Sequence, residues 1–290
     1  MEDRGYTNTL ARVRGALAGE PGAPVGGVTF LPADAIRALA WGSTARDPLL
    51  TAVCSRLSPD FAFVESWTGD ARAVCESVAE CGTVPFWTVR GPLDHAAAAR
   101  GWSETLTATI RDPDVLTALL DEGTEAARAS VRDAAACGAG AIVVADDVAG
   151  ADGPLVAPDF VIGELMPRFG AIVEAAAEEG LPAVWHSDGD VRAFLAAASR
   201  EGFSAVHPGG LDPDTFRQFV SSARRTGLVV LGGLPGRALR AGAPSALRAA
   251  TSASLIARSG ALLICDDGGV STGEELGALI TALQAARDTA

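Results

Sequence analysis

The chain has 290 residues, of which 48% are hydrophobic and 20% are charged, a balance typical of a soluble globular protein with a large buried core. Its formal net charge is −13 and its sequence pI is about 4.6, which argues against nucleic acid or anionic membrane partners because both repel an acidic surface. All 23 basic residues are arginine, and the lack of lysine excludes a lysine Schiff base and lysine-anchored pyridoxal phosphate.

The sequence carries no recognisable targeting or membrane signal. No apolar run approaches the roughly 18 residues that a membrane span needs, and the acidic N-terminus does not resemble a secretory signal. We therefore expect a cytoplasmic protein. The five cysteines are widely spaced without a CxxC pair, so no disulfide framework is predicted. Four of them lie in alanine-rich, helix-like surroundings typical of small core residues, namely Cys54, Cys75, Cys81 and Cys137.

Residues 1–26 are predicted to form an N-terminal helical segment, and residues 27–290 a single α/β domain. Short apolar runs recur along this domain, each followed by polar residues or glycine and then by a helical pattern. In chain order they are Gly27 to Leu31, Asp60 to Glu65, Pro85 to Val89, Ala141 to Ala145, Pro182 to His186, Ser204 to His207, Leu228 to Leu231 and Ala261 to Cys265. Eight such strands separated by helices predict a (β/α)8 TIM barrel.

One connection is longer than the others. The segment from Gly91 to Gly138, after the third strand, has a pattern that predicts a helical insertion of two or three helices. The rival architecture is a doubly wound sheet, which usually has a glycine-rich phosphate loop after its first strand. The stretch "LPADAIRALA" at that position is no such loop, so the barrel is the favoured fold.

Ionisable and aromatic side chains follow most of these strands. Because the active site of a TIM barrel lies at the carboxyl ends of its strands, we expect these side chains to share one site. In chain order they are Glu65, Trp67, Arg90, Asp146, Asp147, His186, Asp188, Asp190, His207, Cys265 and Asp267. Simpler interpretations stay open, since the aspartates could cap helices and Cys265 could be a buried thiol.

Some of these side chains are of the kinds that bind divalent metals. In "HSDGD", His186 and Asp188 alternate along an extended segment. Together with His207 and with Cys265 or Asp267, they offer nitrogen, oxygen and sulfur donors suited to zinc or another divalent metal. The sequence has no HExxH motif and no nucleotide-binding glycine loop, so the predicted ligands come from separate strands.

From about Gly91 onward, several segments resemble the uroporphyrinogen decarboxylase superfamily. They are "GPLDHAAAARGW", the stretch from "RDPDVLTALL" through "VVADDVAGADGPLVAPDF" to "MPRF", then "HSDGD", "LGGLP" and "DDGGVSTGEELGALITALQAAR". The resemblance implies a (β/α)8 barrel. It implies two chemistries, one being cofactor-free decarboxylation of a tetrapyrrole octacarboxylate. The chain departs from that branch, because only Arg37 lies near the position of its arginine-rich segment and an acidic rim disfavours a polyanion.

The other branch transfers methyl groups between a corrinoid protein and a thiol, and a His-x-Cys pair at its fifth strand binds zinc. Here the pair is His186-Ser187-Asp188, so a carboxylate replaces the thiolate. The resemblance implies a methyltransferase that uses zinc or another divalent metal and moves a methyl group between a corrinoid or another methyl carrier, delivered by a partner protein, and a small thiol-type acceptor. The metal ligands would be His186, Asp188, His207 and Cys265.

The remaining residues are assigned to catalysis and substrate binding. Asp146, Asp147 and Asp188 are the predicted catalytic residues. The predicted contacts to a small-molecule substrate are Glu65, Trp67, Arg90, Arg168, Asp190 and Asp267. Two alternatives stay open, a metal-free decarboxylase or lyase acting on a carboxylate and a catalytically degenerate barrel that serves as a binding partner or scaffold. Homodimers are common among similar barrels, so a homodimer is compatible with the resemblance.

Overall fold

Eight parallel strands form the centre of the molecule in the computed structural model, which describes residues 4–30, 54, 58–68, 70–150, 152–268 and 270–288. The strands pair in chain order, and a parallel bridge between Gly26 and Ile264 brings the last strand against the first. They are β1 (Gly27–Val28), β2 (Phe61–Glu65), β3 (Val84–Arg90), β4 (Ala141–Ala145), β5 (Ala183–Asp188), β6 (Ala205–Gly209), β7 (Val229–Leu234) and β8 (Leu262–Asp266). The predicted (β/α)8 barrel is confirmed.

The strand ends differ from the predicted ones in an informative way. β5 and β6 both extend two residues past their predicted ends, and Asp188 pairs with Gly209 there. Polar and glycine residues hide this extension in the sequence, but the backbone ladder continues through them. The extension places His186 and His207 inside the sheet as register partners. The segment after Phe30, including Leu31 and Arg37, lies outside the described residues.

Helices cover the barrel between the strands. They are α1 (Arg4–Leu17), α2 (Ala71–Glu80), α3 (Pro92–Arg100), α4 (Trp102–Arg111), α5 (Thr117–Ala136), α6 (Met166–Glu178), α7 (Leu195–Arg200), α8 (Pro213–Arg225), α9 (Gly236–Arg240), α10 (Ala243–Ala257) and α11 (Gly273–Asp288). Shorter helical turns occupy Pro113–Leu116, Pro158–Phe160, Val161–Leu165 and Arg192–Phe194, and Ala149–Gly150 pairs with Gly153–Pro154 as a small hairpin. Within the described residues, no helix is long and apolar enough to cross a membrane.

The predicted helical insertion after the third strand is present as α3, α4 and α5. Pro92 begins α3, where the missing N–H of proline costs no hydrogen bond, and Gly101 separates α3 from α4 at a φ of 88° that favours glycine. The α5 helix buries an apolar stripe that includes Leu120, Ala127 and Val131. The insertion is therefore packed against the barrel as part of its helical layer.

Side chains alternate between two hydrophobic clusters. In β4, Ala141 and Val143 face the barrel interior, whereas Ile142 and Val144 face the helices. Interior rings stack, with the centroids of Phe61 and Phe86 4.6 Å apart. Burying each such ring stabilises the fold by about 1.5–3 kcal/mol. The interior is thus a packed core, and a cavity can open only at its rim.

The N-terminal helix α1 contributes to the interior cluster. Val13 and Leu17 pack with Val84 and Ala141, which begin their strands, and the Tyr6 hydroxyl donates to the carbonyl of Gly138 at 2.8 Å. α1 therefore covers the amino-terminal end of the barrel. Access to the interior remains at the carboxyl end.

The cysteines behave as small core residues. All five are free, and all except the half-buried Cys81 are buried. Trp87 and Trp185 also belong to the core, since both pack in the cluster between sheet and helices. Trp67, which follows β2, is by contrast 38% exposed.

Candidate active site at the carboxyl end of the barrel

A cavity of about 460 Å³ opens at the carboxyl ends of the strands, where the barrel fold places its active sites. Its wall combines acidic, aromatic and glycine residues. The lining residues are Phe30, Trp67, Asp94, Ala145, Asp146, Asp147, His186, Asp188, Gly210, Gly236, Arg240, Asp267 and Gly268. Six of the predicted site residues therefore share this cavity: Trp67, Asp146, Asp147, His186, Asp188 and Asp267.

Two stacked histidines lie at the cavity, where His186 lines the wall and His207 is fully buried. His186 and His207 are paired across β5 and β6, and their ring centroids lie 4.9 Å apart. Their Nδ1 atoms are 2.8 Å apart, and His207 Nε2 lies 3.0 Å from the carbonyl oxygen of Asp266. Burial, followed by the neighbouring His186, lowers the pKa of His207 to about 3, so His207 is neutral near pH 7.

These contacts fix the tautomers of both rings. A carbonyl oxygen only accepts, so the single proton of neutral His207 lies on Nε2 and donates to Asp266. His207 Nδ1 is then an acceptor, and His186 Nδ1–H donates to it and lies 3.2 Å from the carbonyl oxygen of His207. In its neutral form, His186 therefore presents an unprotonated Nε2 to the cavity.

Two carboxylates face this nitrogen. Asp147 Oδ1 lies 3.8 Å from His186 Nε2, and Asp188 Oδ1 lies 3.9 Å from it. One ligand atom from each of the three residues lies within 4.8 Å of the other two. Three electron-pair donors that converge in this way are stabilised by a shared cation. We call Asp147, His186 and Asp188 the acidic triad.

The backbone holds the triad in place. The Asp188 N–H donates to Asp147 Oδ1 at 2.7 Å, so the backbone of Asp188 orients the carboxylate of Asp147. Asp188 lies directly over Gly209, where an added Cβ would come within 1.7 Å of Asp188 Oδ1. Burial, opposed by His186 and supported by Asp147 and Asp267, raises the pKa of the Asp188 carboxyl. Carboxylates crowded in this way favour a positive ion between them.

The donor set of the triad fits a divalent cation. One imidazole nitrogen and two carboxylate oxygens suit zinc, iron or manganese, and the three residues leave further positions for a substrate or water. His186 and Asp188 were among the predicted metal ligands, whereas Asp147 was predicted to be a catalytic residue. The sequence therefore did not predict that Asp147 lies with His186 and Asp188 in one group of potential metal ligands.

Two further predicted ligands have other surroundings. Both ring nitrogens of His207 are engaged, one by His186 and one by Asp266. Cys265 packs fully buried in the interior cluster, where burial raises the pKa of its thiol well above the usual range. The structure does not bring Cys265 into the triad, and its coordination of a metal stays a prediction.

Asp146 is buried beside the triad. It accepts the backbone N–H groups of Leu93 at 2.9 Å and Asp94 at 2.7 Å, which begin helix α3. Burial raises the pKa of Asp146 well above its usual range, although these two hydrogen bonds act in the opposite direction. Gly91 must lack a side chain, because a Cβ there would lie 2.4 Å from Asp146. The contacts are those of a helix cap, and a catalytic role for Asp146 remains a prediction.

The predicted substrate-binding residues divide into two groups. Trp67 lines the cavity, and the Arg90 guanidinium lies 5.0 Å from the centre of its ring, within the range of a cation–π contact. Burial raises the pKa of nearby Glu65. Arg168 instead pairs with Asp121 and Glu164, and Asp190 pairs with Arg192, all away from the cavity lining.

Three large side chains of the cavity lining were not among the predicted site residues. Phe30 packs on the His186 ring with centroids 4.6 Å apart. Asp94 lies in the first turn of α3 and Arg240 ends α9, and both line the cavity. The signal for Arg240 was available, because it lies five residues beyond the end of "LGGLP" in the helix that follows β7.

A family model described as uroporphyrinogen decarboxylase (URO-D) matches residues 74–262, more than half of the chain. The chain belongs to the URO-D family. The matched region contains the acidic triad and both buried histidines. No curated protein sequence matches the chain.

Solved structures share the fold at low identity. A methyltransferase from Methanosarcina mazei superposes with a TM-score of 0.75 at 17% identity, over 97% of this chain and 98% of that one. A xylose isomerase domain protein from Planctomyces limnophilus gives 0.52 at 13% identity, over 93% and 98%. A tryptophan synthase from Mycobacterium tuberculosis gives 0.51 at 14% identity, over 98% and 96%. These likenesses show the barrel fold of this URO-D family member.

Proposed function

We propose that this URO-D family protein is a metal-assisted methyltransferase. Its methyl donor would be a corrinoid carried by a separate protein, and its acceptor a small thiol. The observation that carries the proposal is the acidic triad, in which His186 Nε2 faces two carboxylates at the floor of an open cavity. The similarity in fold to the Methanosarcina mazei methyltransferase supports the same choice.

The triad would hold a divalent cation through His186 Nε2 and one oxygen each of Asp147 and Asp188. A cation bound there would act as a Lewis acid that lowers the pKa of a thiol, so that sulfur is available as a nucleophile at neutral pH. The thiol proton would pass to solvent, and the sulfur would form a bond to the methyl carbon while the carbon–cobalt bond breaks and leaves its electron pair on the cobalt of the carrier.

The protein's own residues perform the remaining tasks. The hydrogen bonds from His186 to His207 and from His207 to Asp266 fix the orientation of the His186 ring. Trp67 lines the cavity, and Arg90, which lies over the Trp67 ring and 3.7 Å from Asp94, would hold that edge in place, while Arg240 would neutralise an anionic group of the acceptor. The packed interior below the triad excludes water from that side.

Charge argues against uroporphyrinogen itself as the substrate. Asp94, Asp147, Asp188 and Asp267 line the cavity, with Arg240 as the basic lining residue. A substrate with many carboxylates would meet like charge at close range. A small acceptor that is neutral or carries a single anionic group beside Arg240 fits better.

One observation favours a second candidate, a metal-free lyase acting on a small carboxylate. The pKa of Asp188 is raised by burial and by the neighbouring carboxylates, as expected for an acid that donates a proton. In that case, Asp188 would protonate the carbanion that remains after loss of carbon dioxide. Metal content separates this candidate from the methyltransferase.

The test is elemental analysis of the purified wild type, His186→Ala and Asp188→Ala, combined with methyl transfer from methylcobalamin to 2-mercaptoethanol. Asp133→Ala, an exposed carboxylate on α5, is the matched control. We expect near-stoichiometric metal and methyl transfer in the wild type and the control, and loss of both in the triad variants. Wild-type protein that binds no metal after reconstitution with zinc, iron or manganese would refute the proposal.

A further inference from the structure

A second cavity, of about 600 Å³, lies outside the barrel between β7 and the helices α8, α9 and α10. We call it the lateral cavity. It exists because small residues leave room between the sheet and its helical layer, including Gly232 and Gly233 on β7 and Ala249, Ser252 and Ala253 on α10. Its volume is that of sites for small organic ligands, roughly 300–1,000 Å³.

The two glycines are required by the backbone and by the space. Gly232 and Gly233 have φ angles of 142° and 96°, which side chains rarely adopt. A Cβ at Gly232 would also lie 2.9 Å from the Phe216 ring, and one at Gly233 would lie 3.0 Å from Ala253 Cβ. β7 is therefore built without side chains where it faces the lateral cavity.

Apolar side chains form much of the cavity wall. Leu211, Phe216, Ile256 and Leu255 line it, and Leu255 is 70% exposed. A concave apolar surface that water can reach marks a binding site more often than a lone exposed leucine does. The wall suits the hydrocarbon or aromatic body of a ligand.

Positive charge surrounds this apolar wall. Arg217, Arg237 and Arg248 all line the lateral cavity, in a protein with a formal net charge of −13. Arg217 is paired with Asp214, but Arg237 and Arg248 make no ion pair with any residue that the structure describes. The Asp267 carboxylate at the inner end is engaged by the Gly236 N–H at 2.9 Å. Arg237 and Arg248 are thus the cations available to a ligand.

We infer that the lateral cavity binds an amphipathic organic anion. Its apolar body would lie between Phe216 and Ile256, and its carboxylate, sulfonate or phosphate head would lie at Arg237 and Arg248. Guanidinium groups pair well with such heads because their planar N–H donors match the geometry of anionic oxygens. This site is distinct from the acidic triad and binds its ligand whether or not the triad holds a metal.

The helix α9 separates the two cavities. Gly236 and Arg240 line the cavity of the acidic triad, whereas Arg237 and Ala238 line the lateral cavity, and Asp267 lines both. A test of the lateral site must therefore leave α9 and Asp267 as intact as the chemistry allows. The substitution that blocks the cavity is best made on α10, at Ser252, which is exposed and lines the cavity wall.

The experiment is fluorescence titration with 8-anilinonaphthalene-1-sulfonate, an aromatic anion, in the presence of EDTA so that the triad metal has no influence. Octanoate and octylamine serve as competitors of equal length and opposite charge. The variants are Arg237→Gln/Arg248→Gln and Ser252→Trp. The control is Arg72→Gln/Arg132→Gln, which removes the same charge from exposed positions on α2 and α5.

We expect saturable binding of one probe per chain in the wild type and the control, with displacement by octanoate and none by octylamine. The double glutamine variant should bind at least about tenfold more weakly, as expected for loss of charge-assisted hydrogen bonds. Ser252→Trp should abolish saturable binding. No saturable binding in the wild type, equal displacement by octylamine, or unchanged binding in either cavity variant would overturn the inference.

Discussion

The Asp146-Asp147 pair follows β4, and the Asp266-Asp267 pair lies at the end of β8. The first carboxylates of the two pairs have similar roles, and the second carboxylates have different ones. In each pair the first carboxylate is buried and ties its strand to a neighbouring segment. Asp146 accepts the N–H groups of Leu93 and Asp94, whereas Asp266 accepts those of Thr29 and Gly268. The first aspartate of each pair therefore has a structural role, because it holds neighbouring backbone segments at the carboxyl end of the barrel.

The second carboxylates differ in their surroundings. Asp147 faces His186 and Asp188 from the adjacent strand β5, while Asp267 accepts the Gly236 N–H that begins α9. The same dipeptide at the same end of a strand thus gives a candidate metal ligand in one case and a helix contact in the other. The neighbouring strand, and not the Asp-Asp sequence, determines the chemistry.

The largest expected effect distinguishes the two second carboxylates. Asp147→Ala removes one of three converging donors, so we expect the affinity for zinc or manganese to fall by about 100-fold or more, given that loss of even an outer partner of a ligand costs about 10–100-fold. Isothermal titration of the metal into metal-free protein measures the change.

Asp267→Asn is the comparison for that titration. It removes a charge that acts on Asp188 only through space, so the metal affinity should change by no more than about fivefold, the effect of an exposed charge pair worth about 1 kcal/mol. Equal losses in the two variants would mean that both Asp-Asp pairs contribute to the metal site and that our comparison is wrong.

A smaller effect concerns the first carboxylates. Asp146→Ala leaves two buried N–H groups at the start of α3 without an acceptor, which we expect to lower the free energy of unfolding by about 2–3 kcal/mol. Urea denaturation followed by circular dichroism measures it. Asp133→Ala on the exposed face of α5 should change stability by less than about 0.5 kcal/mol. If Asp146→Ala were as stable as that control, the capping role would be refuted.

The sequence was sufficient to predict the barrel because its signals are local. Each apolar run identifies one strand, and the alternation of His186 and Asp188 along β5 places both side chains on one face without knowledge of any neighbour. The acidic triad was only partly predictable because it depends on the register between strands. Ala145 pairs with His186, which carries Asp147 to the triad.

Register also explains the position of Cys265. Successive side chains of a strand point to opposite faces, so an uncertainty of one residue decides between the barrel interior and the helical layer. The sequence left that uncertainty open, and the structure places Cys265 in the interior cluster. The lateral cavity was not predictable either, because the space beside Gly232 and Gly233 arises from how α8 and α10 pack over β7.

The smallest expected effect concerns His207, which orients His186 without belonging to the triad. His207→Phe fills similar space but offers no acceptor to His186 Nδ1, so the ring loses the contact that directs Nε2 at Asp147 and Asp188. We expect metal affinity to fall by about tenfold, the lower end of the range for such a partner.

Two variants serve as controls. Substitution of His95 on α3, His95→Gln, should leave the affinity unchanged. His207→Gln, whose side-chain oxygen can accept from His186, should recover part of the loss, and this rescue separates orientation of the ligand from general destabilisation. Equal affinities in His207→Phe and the wild type would show that His186 is held by packing against Phe30 instead.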